Sequence, residues 1–361
     1  MQPTRIEVSA GAGAYPVIIG AGTLSTLAQE MDARRLGARR IIVSSPQVWK
    51  LHGKRLRGVG SERSAVLVDD GERFKNMATV ARVHDALIKG KADRSAVVVA
   101  VGGGVIGDLV GFAAATYLRG IRVVQVPTTL LAQVDSAIGG KTGVNHALGK
   151  NLIGSFHPPS LVIADPDVLS TLPRREFRAG LYEVIKYGVI ADPTLLDRLH
   201  GSLHAVFERE PEAVTPLVAA SCRIKAHIVS ADEREAGGRR VLNFGHTVGH
   251  ALEAATKYRR FRHGEAVAYG MLAALSIGVE RGVTPRALFD EIHGLIVNLG
   301  PLPPVADVSI KEALAAIGRD KKVVGGKLHF VAATGRGQTT TLTDVTAKEL
   351  RASMKKLGLR T

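Results

Sequence analysis

Two imidazoles four residues apart carry the first chemical signal in the chain. In His246-Thr247-Val248-Gly249-His250 they share one face of a helix. The spacing resembles that of zinc-protease helices, but Thr247 stands where those place their catalytic glutamate. His263-Gly264-Glu265 follows closely, and Glu183 lies in Tyr182-Glu183-Val184-Ile185-Lys186, an otherwise apolar helical stretch. A carboxylate facing a helical core costs too much unless it is paired or metal-bound. Three or four nitrogen and oxygen ligands without a thiolate suit zinc or a similar divalent ion in an open, catalytic site. Spacing alone leaves the ligand set open among His246, His250, His263 and Glu183.

A second signal is glycine. Gly102-Gly103-Gly104-Val105-Ile106-Gly107-Asp108 follows a strand-like run, opens a helical one and contains G-x-G-x-x-G. Glycines let a backbone approach a pyrophosphate, and a helix N-terminus attracts its charge. The usual acidic ribose ligand about 20 residues on is missing, since that region is Arg122–Pro127. A phosphate or nucleotide site remains the expectation, with tight helix–strand packing as the alternative. Gly139-Gly140-Lys141-Thr142-Gly143 is not a P-loop, because Asp135 occupies the position of its first glycine. Around it stand Asp135, Ser136, Lys141, Asn145, Lys150 and Asn151, a polar loop suited to an anionic ligand.

The elements that must position these groups differ between the two halves. Arg40–Ser44, Ser64–Val68, Ser95–Val101, Arg122–Val126 and Leu161–Ala164 read as buried strands, with Asn76–Lys89 as an intervening helix. Strands separated by helices imply a parallel sheet, here a Rossmann-like α/β domain over residues 1–172. Beyond Leu172/Pro173, helices are expected over Pro173–Ile190, Pro211–Ser230, His246–Thr256, Glu265–Glu280 and Pro285–Leu299. Residues 173–361 therefore read as a mostly helical metal- and substrate-binding domain, with the active site expected in the cleft between the two.

Composition narrows the classes. The 361 residues are 45% hydrophobic, which excludes a disordered chain, and the single cysteine, Cys222, excludes an intrachain disulfide scaffold. A cytoplasmic setting is expected, with no signal peptide at Met1–Gly20. Ala96–Leu118 carries one charge and is long enough to span a membrane, but its glycines fit a buried strand–turn–helix better, so no membrane is expected. The net charge of +15 raises the question of nucleic acid. Residues 101–172 hold 4 basic and 4 acidic side chains, so the excess lies outside the glycine-rich segment, and few aromatics interleave with it. It reads as solvated surface, with no nucleic acid as partner.

Taken together, several runs closely resemble the 3-dehydroquinate synthase family. They are Gly102–Asp108, Pro127-Thr128-Thr129-Leu130-Leu131-Ala132-Gln133-Val134-Asp135-Ser136, Gly139–Asn145, Gly149-Lys150-Asn151-Leu152-Ile153-Gly154, Glu183–Gly188, Leu242–Glu253 and His263-Gly264-Glu265-Ala266-Val267. The likeness spans about residues 40–330 in the same order and spacing. It implies a cytoplasmic homodimeric lyase of the shikimate pathway that uses NAD and one zinc or cobalt ion. The substrate implied is a small sugar phosphate, 3-deoxy-D-arabino-heptulosonate 7-phosphate, converted to 3-dehydroquinate and phosphate. Transient oxidation by NAD, β-elimination of phosphate, re-reduction, ring opening and an intramolecular aldol closure make up the implied sequence.

By motif, the resemblance implies Glu183, His246 and His263 as metal ligands and turns His250 toward the substrate. NAD contacts carry over to Asp70, Gly71, Glu72, Lys75, Gly104, Val105, Ile106, Gly107, Asp108, Thr128, Thr129, Lys141, Lys150, Val168, Leu169, Ser170 and Thr171. The substrate set carries over to Asp135, Lys141, Lys150, Asn151, Lys186, Lys225, Arg239, Asn243, His250 and one of Lys321 or Lys322. Arg119 matches an arginine that reaches the phosphate from the neighbouring subunit. The chain departs from the family pattern at Ser44-Ser45-Pro46, Tyr182 and Phe156-His157-Pro158-Pro159. Alternatives are a sister cyclase acting on a heptulose phosphate without a carboxylate, and a metal-dependent polyol dehydrogenase.

Overall fold

β-branched runs bounded by turns build a seven-stranded sheet in the first half of the chain. In the computed structural model, residues 2–361 are described apart from 12, 38, 57, 61–64, 234–236, 319–322 and 325–326. The chain divides into two compact units, one of Met1–Phe177 with Glu208–Arg234, the other of Arg178–Phe207 with Glu235–Thr361.

The first unit contains strands β1 (Thr4–Ala10), β2 (Gly13–Ile19), β3 (Arg40–Ser44), β4 (Val66–Leu67), β5 (Val97–Gly102), β6 (Arg122–Pro127) and β9 (Leu161–Ala164) in the order β1-β2-β9-β6-β5-β3-β4. Only the β1–β2 pair is antiparallel. Helices α1 (Leu27–Ala33), α2 (Pro46–His52), α3 (Met77–Lys89) and α4 (Gly104–Thr116) make the crossovers, and α7 (Pro211–Ala231) joins the same unit by packing on β1. Both faces of the sheet are covered, so β5 is buried at every residue and reads as an unbroken apolar run. The span of Ala96–Leu118 is resolved as β5, the glycine turn and α4, and no helix among the described residues is long and apolar enough to cross a membrane.

Two features escaped the sequence pattern. β1 and β2 form a hairpin whose outer strand is largely exposed, so its alternation is weak. The polar loop around Lys141 is instead a second hairpin, β7 (Lys141–His146) with β8 (Gly149–Phe156). Glycine, asparagine and lysine are poor strand formers. The hairpin holds because Gly143 and Gly154 let the strands meet, while Thr142 seats its methyl where a Cβ on Gly111 of α4 would be, 2.5 Å away.

The second unit consists of α5 (Arg174–Ile190) from residue 178 on, α6 (Thr194–Phe207), α8 (His246–Ala255), α9 (His263–Glu280), α10 (Arg286–Leu299), α11 (Ile310–Gly318) and α12 (Ala347–Lys356). Short hairpins β10 (Val323–Val324) with β11 (Lys327–Leu328), and β12 (Phe330–Gly335) with β13 (Gln338–Leu342), complete it. Helix α9 is apolar on nearly every side and touches α8, α10, α12 and β12, as a central helix must. At its C-terminal end Arg281 donates to Glu349 (2.6 Å) and to Asp344 (2.6 Å), tying it to α12.

Candidate active site

Three helices of the second unit meet at the histidine cluster, and glycine sets how closely. A Cβ on Gly270 of α9 would lie 1.7 Å from the carbonyl oxygen of Gly245, and one on Gly264 would lie 1.9 Å from that of Ala179 in α5. Backbone therefore touches backbone at α8–α9 and α9–α5, a closeness that only residues without a Cβ permit. Helix α9 starts at His263, two residues earlier than its apolar periodicity predicts, because the Glu265 carboxylate accepts from the Arg262 amide (2.8 Å) and satisfies one of the free donors at the helix start. Thus His246 and His263 are each the first residue of a helix, and Glu183 faces them from α5.

His246, His250 and His263 present ring nitrogens within 4.8 Å of one another. Glu183 is fully buried, and its Oε1 accepts no hydrogen bond. Lys186 forms an ion pair with its Oε2, while Oε1 lies 3.9 Å from His246 Nε2 and 3.7 Å from His263 Nε2. Those separations are too long for hydrogen bonds. They are close to the roughly 3.4 Å expected between ligand atoms held at about 2.0–2.2 Å around one tetrahedral ion. The remaining ring nitrogens face acceptors: His246 Nδ1 the Phe244 carbonyl (3.1 Å) and His263 Nδ1 the Glu253 carboxylate (3.3 Å). That arrangement leaves Nε2 of each ring as the lone-pair nitrogen, so the residues fit a divalent cation.

Of the other residues expected here, Lys186 is 1% exposed and Arg239 is 1% exposed, the latter in a short 3-10 helix, Gly238–Asn243, that ends at half-buried Asn243. Lys321 and Lys322 lie outside the described residues. Tyr182, noted for its bulk, is fully buried, and burial pushes its phenol up to about 12.

In the first unit, β4 and β5 run on either side of β3, so the strand order reverses there. In open α/β sheets ligands bind outside the carboxyl ends of strands at such a switch point. The residues assigned to NAD follow that edge. Asp70–Lys75 come after β4, Gly104–Asp108 after β5, Thr128-Thr129 after β6 and Val168–Thr171 after β9. Helix α4 begins at Gly104 with no side-chain cap and no acid in its first turn, which leaves its amides for an anion. The packing alternative also holds in part, since a Cβ on Gly102 would lie 2.6 Å from Ile106 and one on Gly107 would lie 2.8 Å from Gln125.

The same unit holds several paired polar side chains. Lys75 is 4% exposed and donates to Asp108 (2.5 Å) and Asn151 (2.7 Å). Burial pushes the Asp108 carboxyl up, against the pull of the Lys75 ammonium. Lys150 approaches Glu72 at 3.5 Å, and Lys141 opens β7 at the exposed start of the hairpin. Lys225 of α7 donates to the Asp135 carboxylate (2.7 Å) and carbonyl (2.6 Å), with Asp135 in a π-helical turn, Ala132–Ser136. Cys222, one turn earlier, is buried with its thiol pushed up to about 12 by desolvation, so it is no nucleophile.

Asn145 and Glu253 have site contacts that sequence reasoning did not assign. Asn145 donates to the Glu72 carboxylate (2.8 Å) and carbonyl (3.2 Å), accepts from the Asn151 amide (3.0 Å), and its own amide donates to the Lys75 carbonyl (2.8 Å). Its place between Lys141 and Lys150 was the available signal, but the hairpin that aims it was not legible. Glu253 carried a signal too, an acid among buried positions of α8.

Comparison with known proteins follows the same division. A family model described as 3-dehydroquinate synthase N-terminal matches residues 65–179, and one described as 3-dehydroquinate synthase C-terminal matches residues 180–323. The 3-dehydroquinate synthase of Nostoc punctiforme is 47% identical over 353 residues, covering 96% of this chain and 97% of that one. Among solved structures, a 2-epi-5-epi-valiolone synthase from Streptomyces hygroscopicus with NAD+ and Zn2+ bound superposes with a TM-score of 0.88 at 31% identity, over 97% of this chain and 98% of that one. A 2-deoxy-scyllo-inosose synthase complexed with carbaglucose-6-phosphate, NAD+ and Co2+ shares the fold, at a TM-score of 0.86 and 24% identity over 98% and 99% of the two chains.

Proposed function

This chain belongs to the 3-dehydroquinate synthase family, and from that premise we propose which of its residues do the work. The activity is the conversion of 3-deoxy-D-arabino-heptulosonate 7-phosphate to 3-dehydroquinate and phosphate, with NAD and a divalent metal as cofactors. The observation that carries the site assignment is Glu183: a buried carboxylate whose Oε1, without a hydrogen bond, faces two imidazole Nε2 atoms. Glu183, His246 and His263 hold the metal, which supplies Lewis acidity toward the substrate's hydroxyl oxygens. The carboxyl edge of the sheet, with the start of α4, would hold NAD, which when bound would supply reversible hydride transfer.

His250, close to both ligand imidazoles, contacts substrate. Arg239 binds the carboxylate in two-point contact, a recognition for which a planar guanidinium is suited. Lys141, Lys150 and Lys186 place positive charge where enolate and phosphate charge develop. Asp135 and Asn151 orient hydroxyl groups, with Lys225 and Lys75 fixing their positions. The departing phosphate is itself basic enough to take the proton at C6, so no separate strong base is required.

The same reading makes the enzyme a cytoplasmic homodimer in which Arg119 serves the partner's phosphate site. Leu118 and Arg119 both have positive φ (49° and 67°), strain of the kind that persists where function demands it. The first unit also exposes Leu118, Leu148, Leu152 and Phe156, apolar surface suited to a second copy.

Phosphate release from the heptulosonate phosphate tests the assignment. Activity is expected to need NAD in catalytic amount only, to vanish on chelation and to return with zinc or cobalt. Net NADH accumulation would instead mark a dehydrogenase. Activity persisting in metal-free Glu183→Ala would overturn the ligand set.

A further inference from the structure

We infer that Glu253 is a positioning residue for the metal centre, fixing the tautomer and strengthening the donor nitrogen of His263. The inference rests on the metal-site reading above. Glu253 lies on the third turn of α8, seven residues after His246, and is 4% exposed. Its Oε2 is 3.3 Å from His263 Nδ1. In a neutral imidazole one nitrogen carries the proton and the other a lone pair. A carboxylate can only accept, so it holds the proton on Nδ1 and leaves Nε2, the nitrogen 3.7 Å from Glu183, to bind the cation.

The other ligand histidine makes the contrast. His246 Nδ1 faces the neutral carbonyl of Phe244 at 3.1 Å, which fixes orientation without adding charge. The two imidazoles are therefore unequal donors to a cation, and the one at the start of α9 is the stronger. There is also a charge argument. Glu183 already shares its carboxylate with Lys186, so the pair is near neutral before a dication arrives. Glu253 supplies a further negative charge one imidazole away, which favours a cation at the site.

The test is zinc affinity of the full chain, measured by competition with a chromophoric chelator, with the d–d spectrum of the cobalt form as a second readout. Glu253→Gln keeps the shape and an acceptor oxygen but removes the charge; Glu253→Ala removes both. We expect Kd for zinc to rise about tenfold in the first and up to about a hundredfold in the second, the range found for lost outer-shell partners. The cobalt bands should shift in both. A purely structural role would lower apo-protein stability in Glu253→Ala while leaving the zinc Kd and cobalt spectrum of Glu253→Gln at wild-type values, and that result overturns the inference. Failure of the wild-type chain itself to bind one zinc overturns the metal-site reading instead.

Discussion

Lys186→Met isolates the electrostatic core of the site. Lys186 and Glu183 are 1% and 0% exposed, three residues apart on α5, and the carboxylate has no hydrogen bond to fall back on. Methionine roughly conserves the volume of lysine, so the main loss is the charge. Breaking a buried ion pair from one side costs about 3–5 kcal/mol, because the remaining charge stays desolvated. The metal-free variant should therefore lose about that much stability in urea, followed by near-UV circular dichroism. Zinc should then narrow the gap to wild type by about 1.4 kcal/mol. If ammonium and cation compete for one carboxylate, removing the ammonium tightens zinc binding, and linkage converts the gain into stability. At free zinc one hundredfold above the wild-type Kd, the wild type gains about 2.7 kcal/mol; a variant binding tenfold tighter gains about 4.1 kcal/mol. A metal-free variant within about 1 kcal/mol of wild type, or equal zinc stabilisation of both proteins, would refute the reasoning.

Other outcomes follow from geometry already described. Gly270→Ala drives a Cβ to 1.7 Å from the Gly245 carbonyl oxygen and 2.9 Å from the Gly249 amide nitrogen; because these neighbours are backbone and cannot swing away, it should cost about 3 kcal/mol in denaturant unfolding, with zinc stoichiometry falling below one per chain. Asn145→Ala removes the bonds that join Glu72 to Asn151; at about 1 kcal/mol per bond, Kd for NAD by titration calorimetry should rise roughly tenfold, and an unchanged Kd would remove Asn145 from the site. The Arg281 guanidinium, with the Thr346 hydroxyl and amide, holds the Glu349 carboxyl down at about 2 from an ordinary 4.5. That contribution is complete above pH 4.5 and is lost as pH falls toward 2, so Glu349→Gln should flatten the acid limb of the stability profile of the second unit.

The sequence makes buried elements legible and exposed ones much less so. Arg40–Ser44 and Leu161–Ala164 are strands over the residues their apolar runs define, and α3 starts at Met77 behind Asn76, whose side chain caps it. The hairpin of Lys141–Phe156 was not legible, because its composition is that of a loop and its register is set by α4, distant in sequence. The site divides the same way. Ligand types and spacing pointed to Glu183 and the three histidines, but could not say which nitrogen faces inward. That depends on what stands behind each ring: the Phe244 carbonyl and Glu253. Lys225 and Asp135 are 90 residues apart, and only the fold puts them in one hydrogen bond.

The first unit is completed by Glu208–Arg234, a segment that the chain supplies only after α6 has been made. Until then β1 lacks the helix that covers it, and Asp135 lacks Lys225. During synthesis, at about 5–20 residues per second, this leaves an interval of seconds in which a nearly finished sheet is displayed with apolar surface uncovered. Vectorial production thus imposes an order of assembly opposite to the simple one, since the N-terminal sheet must wait on a later helix. Slow codons ahead of or within α7 would lengthen that wait, and their cost would appear as aggregation of newborn chains and dependence on chaperones, even though the finished enzyme is unchanged.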